Sequence, residues 1–147
     1  MTDVSPPTAS LAYVTRPVLA MNGKGSAVVA WAREDGSIMA SSASQNATAF
    51  SDAVAVRSAR TTTLNALPVL SLDATGRAVL AWTDNDLWLS QRDAAGTWSL
   101  ATQHESLLEQ AAAPALVMSA DGGAMLVWRH FIAGEGTRIL ARQRKVP

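Results

Sequence analysis

One aromatic residue stands among side chains of the kind that hold sugars. Trp88 lies in TDNDLWLSQR (83–92), with Asp84, Asn85 and Asp86 before it and Gln91 and Arg92 after it. A flat indole stacks on the apolar face of a sugar ring, while carboxylates, amides and a guanidinium hydrogen-bond its hydroxyls. Trp88, Asp86 and Arg92 are therefore the candidate ligand-binding residues. A second reading is packing: a Trp in a largely apolar stretch fills the outer part of a sheet. That reading is the cheaper of the two.

The other reactive residues form no constellation in sequence. His104 and His130 lie far apart, and neither has a second His beside it. The DND run at 84–86 lacks the twelve-residue calcium-loop pattern with its closing Glu, and reads as a turn between strands. HESLLEQ (104–110) could form one helical turn, with its His and Glu solvated. The basic end, Arg138, Arg142, Arg144 and Lys145, could meet an anion, but alternation along a half-exposed strand explains it equally well. No catalytic residue, metal site or cofactor is expected.

Composition narrows the classes further. The 147 residues are 48% hydrophobic and 16% charged, which suits a folded domain rather than a disordered one. Basic and acidic residues number 12 each, so no net field favours nucleic acid or an anionic membrane surface. There is no Cys, hence no disulfide and no thiolate site. No apolar run reaches the ~20 residues of a membrane-spanning helix. MTDVSPPTAS has neither a basic start nor an apolar core, so it does not read as a secretory leader. The expectation is a cytoplasmic chain as it stands, or an extracytoplasmic one had a leader been removed.

The elements that must position these residues come from a repeat. GSAVVAW (25–31), GRAVLAW (76–82) and GGAMLVW (122–128) are three versions of one phrase. Pro17, Pro68 and Pro114 precede them at intervals of 51 and 46, and Trp31, Trp82 and Trp128 follow the same intervals. The Pro-to-Trp distance is 14 each time, so length variation falls after the Trp. Each block reads as a β-hairpin. A short strand follows Pro (17–22, 68–73, 114–119), and a turn carries Gly25, Gly76 or Gly122 where positive φ is needed. The next strand is apolar on both faces, which demands cover on both sides.

A third strand is expected at 37–43, 87–92 and 138–144, and a fourth at 49–58 and 97–106. The third unit has none of its own. The expected units are residues 17–58, 68–106 and 114–147. The repeated Trp, Gly and Pro residues are read as structural, as are Phe50 and Trp98 at the start of the fourth strands.

Four antiparallel strands in ~40–50 residues is the size of a propeller blade. The pattern P…D..G.A…W…I.A.R…G.W resembles the blade repeat of bacterial sialidase-like, six-bladed β-propellers. The second unit matches it best, through Pro68, Asp73, Gly76, Ala78, Trp82, Leu89, Arg92, Gly96 and Trp98. The resemblance implies blades over residues 17–147. It does not bring the family's machinery of three arginines, a Tyr–Glu pair and an acidic catalyst. Arg33, Arg92, Arg129 and Arg142 sit at different depths in their units, and Tyr13 is the only Tyr. SLDATGRA (71–78) departs from the family's S-x-D-x-G-x-T-W box in its Asp-to-Gly gap.

Propellers typically close with 4–8 blades. Three blades are thus expected to be half of a six-bladed ring completed by a homodimer, or a fragment of a longer propeller. In the dimer, residues 1–16 of one chain would add to the edge of RILARQR in the other, and Pro6 and Pro7 suit such an edge. A β-sandwich of ten to twelve strands is the alternative fold. The functional expectation is a non-enzymatic binding or scaffold module for a glycan or protein. The alternative is a sialidase-like hydrolase or lyase with a site shared between subunits.

Overall fold

The computed structural model describes residues 17–59, 66–84, 86–105 and 110–145. The expected exchanged segment (1–16), Asn85 and most of the expected helical turn (106–109) lie outside these residues. The described residues are all-β and make three antiparallel sheets. Sheet 1 comprises β1 (Val18–Met21), β2 (Ala27–Ala32), β3 (Ile38–Ala43) and β4 (Val54–Arg57), in that spatial order. Sheet 2 repeats it with β5 (Val69–Leu72), β6 (Ala78–Asp84), β7 (Asp86–Arg92) and β8 (Thr102–Glu105). Sheet 3 has three strands, β9 (Ala111–Met118), β10 (Gly123–Ile132) and β11 (Gly136–Lys145).

The turns explain the hairpins. In each, the N–H of the first residue donates to the carbonyl four positions on: Asn22 to Ser26, Asp73 to Arg77, Ser119 to Gly123. Gly76 closes the second turn at φ +91°, and Gly25 and Gly122 take its place in the others at +84° and +91°. A side chain in that region pays a backbone penalty.

The sheets stack face to face. Residues alternate along a strand, so one face of β6 takes Leu80 and Trp82 and the other takes Val79 and Ala81. The first face packs on Ala30, Ala32 and Ile38 of sheet 1. The second packs on Ala124, Leu126 and Trp128 of sheet 3. Every residue of β2 is buried, and all of β6 but Asp84. The first strands also meet: β1 lies against β5, and β5 against β9. Each repeated Trp points the same way along the stack. Trp82 faces sheet 1, Trp128 faces sheet 2, and Trp31 lies on the side of sheet 1 away from sheet 2, with Val29, Met39, Phe50 and Ala53.

Three expectations need correcting. The fourth strands are shorter than 49–58 and 97–106. Before β4 and β8 the chain is held instead by buried hydroxyls, Ser41 donating to the Ser51 carbonyl at 2.6 Å and Ser90 to the Ser99 carbonyl at 2.8 Å. Trp98 precedes β8, joins the ladder through an isolated bridge to Arg92 and packs against the core between sheets 1 and 2. Secondly, Pro114 does not precede its strand as Pro17 and Pro68 do. It lies inside β9, next to Ala113 at φ +50° and beside a register shift opposite Val127–Arg129. A bulge is where a strand tolerates a residue with no N–H. Thirdly, β10 and β11 are ten residues each and pair along their whole length.

Candidate functional site

The three candidate ligand residues are not gathered. Asp86 and Arg92 occupy opposite ends of β7, about 20 Å apart at ~3.3 Å per residue. Asp86 accepts a hydrogen bond from Gln103 Nε2 at 2.7 Å. Trp88 is buried, at 9% exposure, in the core between sheets 1 and 2. The β6–β7 register sets it opposite Trp82, as Met39 is opposite Trp31 and Leu140 opposite Trp128. It therefore has repeat equivalents in Met39 and Leu140, which differ from it in residue type. Trp88 packs, and its ring offers no open platform.

What caps that pair of rings is Arg57, the last residue of β4. Its guanidinium carbon stands 5.6 Å from the Trp82 ring centre and 5.8 Å from that of Trp88. Its Nη2 donates to Asp84 Oδ2 at 2.8 Å and to the Gly36 carbonyl at 3.0 Å. The side chains of Arg57 and Asp84 are 7% and 13% exposed. One guanidinium thus binds the β2–β3 turn of its own sheet to the end of β6 in the next. The only sequence signal for it is a lone Arg closing an apolar strand.

Arg92 is the candidate that reaches a cavity. A cleft of about 250 Å³ lies between sheets 1 and 2 at the end where the Gly25 and Gly76 turns sit, lined by Ser26, Ser42, Ser44, Thr75 and Arg92 among others. Arg92 Nη1 donates to the Gly76 carbonyl at 2.8 Å, and Nη2 to Ser42 Oγ at 3.3 Å. Burial lowers the Arg92 pKa below the usual guanidinium value, opposed by the charge of Asp93. The described lining holds hydroxyls, small apolar groups and this one cation, and no carboxylate or imidazole.

The turns at this end are linked from sheet to sheet. Asn22 Nδ2 donates to the Asp73 carbonyl, and Arg77 Nη2 to the Asp121 carbonyl, each at 3.0 Å. Asp73 is the anchor. It is 1% exposed, and its carboxylate accepts from the Thr75 N–H and hydroxyl, from the Arg77 N–H, and from Arg77 Nε at 2.7 Å. Burial raises its pKa, but the bonds from Thr75 and Arg77 outweigh burial and hold it below the usual 3.8. The family-like Asp and Gly of the second unit are accounted for by this turn.

His130 is buried on β10, while His104 is half-buried on β8. Among the described residues no three of His, Asp and Glu come together as a metal site. Compared with family models and with curated proteins, the chain matches none of them.

Proposed function

We propose that the chain is a non-enzymatic binding or scaffold module of the β-propeller class, forming half of a six-bladed ring that a second copy completes. The observation that carries this reading is the outward face of sheet 3. Val28 and Val79 are buried by the next sheet in the stack, and Met125, at the same repeat position, is 40% exposed. Val117, Phe131 and Ile139 add exposures of 61%, 49% and 74%. Val117 lies opposite Met125 and Ile139 opposite Arg129, so this face exposes several large apolar side chains around one arginine, and exposed apolar surface on a sheet face marks an interaction site. The internal repeat supports what covers it: another blade of the same type, supplied by a second copy. The open edge of β11, which has no fourth strand among the described residues, supports the same reading.

The binding side of this module is the Arg92 cleft, whose hydroxyls and guanidinium suit a polar ligand such as a glycan or a peptide backbone. Its described lining has the groups for binding and none for proton transfer.

Light scattering on a sizing column tests the assembly. The wild type is expected at twice 15.4 kDa. Met125→Asp and Ile139→Asp, both at exposed positions that leave the fold intact, are expected at the single-chain mass. A wild-type monomer, or a dimer indifferent to both substitutions, overturns the reading.

A further inference from the structure

At the opposite margin of the stack, away from β5 and β9, three nitrogen-rich side chains converge. Arg142 and Arg144 are two residues apart on β11, so they share one face of sheet 3. That face looks toward β8, where both meet His104. Arg142 Nη1 is 3.0 Å from His104 Nδ1, and Arg144 Nη1 is 2.7 Å from Nε2.

This arrangement lacks acceptors. A guanidinium only donates. A neutral imidazole has one acceptor nitrogen, and its other nitrogen carries a proton. One arginine can therefore hydrogen-bond the ring, while the other faces an N–H with an N–H. Protonating the ring removes the remaining acceptor and adds a third positive charge. Burial, and then the charges of Arg142 and Arg144, hold the His104 pKa below 6.5, so the ring stands neutral at pH 7. Among the described residues neither arginine meets a carboxylate; the ion pairs there are Arg57–Asp84, Arg77–Asp73 and Arg138–Glu135.

We propose that Arg142, Arg144 and His104 form a binding site for a small oxyanion, a phosphate group or a carboxylate, across the seam between sheets 2 and 3. Two oxygens of such an ion accept from the two guanidinium groups, and one of them accepts from the imidazole N–H. The donor-against-donor contact then becomes two charge-assisted bonds. The size of the ligand is bounded from beneath. The cavity under the cluster, walled by Val79, Leu87, Leu116 and Leu126, holds about 20 Å³, room for little more than one water. No apolar tail enters it, so the anion sits at the mouth with any attached group toward solvent. The site draws on β8 and β11 only, and is separate from the Arg92 cleft and from the apolar face proposed to meet a second copy.

Ring-nitrogen NMR of the full chain tests it, because the chain has two His and the buried His130 is an internal control. Inorganic phosphate and acetate are titrated separately, with chloride holding the ionic strength constant. A saturating shift of His104 without one at His130 is expected. Saturation with phosphate alone assigns the phosphate class, and saturation with both assigns oxyanions generally. Arg142→Gln should weaken binding about tenfold, the value of one charged hydrogen bond. Arg142→Gln with Arg144→Gln should abolish it, with the circular dichroism spectrum unchanged because both side chains are exposed. A shift that chloride reproduces, or that survives in the double variant, overturns the proposal.

Discussion

Replacing Asp84 by Ala removes one partner of the buried pair that joins sheets 1 and 2. Arg57 remains, 93% buried at its side chain since 7% is exposed, and among the described residues its Nε and Nη1 have no hydrogen-bond partner. After the substitution its positive charge would keep only the Gly36 carbonyl and the faces of Trp82 and Trp88. Stranding a buried charge costs about 3–5 kcal/mol. The contact with the rings, worth about 1–2 kcal/mol, is present before and after and cancels. Asp84 is 13% exposed, so water can enter the vacated space. The lower end, about 3 kcal/mol, is the expected loss. For a chain of this length each kcal/mol moves the melting point by about 4 °C, giving a fall of roughly 12 °C. Urea unfolding followed by Trp fluorescence measures the free energy, and calorimetry measures the melting point. Arg57→Met combined with Asp84→Ala removes both charges, and is expected to fall within about 1 kcal/mol of the wild type. A loss under about 1 kcal/mol in Asp84→Ala would refute the reasoning, because that is how a solvated surface pair behaves. So would a double variant as unstable as the single one.

The Asp73 turn makes stability depend on acid. Its folded pKa lies below 3.8, so its contribution is complete above that value and is lost as the pH falls through the lower folded one. Urea midpoints are expected to decline on acidification past 3.8, and less so in Asp73→Asn, which should itself lose about 2 kcal/mol at neutral pH by setting an amide against Arg77 Nε. Gly76→Ala should cost about 1–2 kcal/mol by urea titration. A Cβ there would meet nothing within 4 Å, so the whole loss is the backbone penalty of φ +91°. An unchanged midpoint would mean that the turn relaxes out of that conformation.

The sequence by itself determined the hairpins and their number. A Gly at positive φ, a side chain folding back on its own turn, and an apolar strand between two such signals are local events, visible as GSAVVAW, GRAVLAW and GGAMLVW. The two-sided apolar pattern of β2 and β6 likewise demanded sheets on both faces, and sheets stand on both faces of β6. The short fourth strands were blurred because Ser41 and Ser90 hold the preceding chain by side-chain bonds that strand propensity does not register. Pro114 looked like a strand boundary because its two equivalents are one; only the bulge at Ala113 admits it into β9. The functional residues were the least legible. Trp88 among polar neighbours left a binding surface open beside the cheaper reading of packing, and only the stack places its ring in the core against a guanidinium from another sheet. His104 meets arginines 38 and 40 positions away, and Arg57 meets Asp84 27 positions away. Strand register and the stacking of sheets decide such contacts. Both depend on the sum of many apolar burials along the chain, which no short stretch of sequence contains.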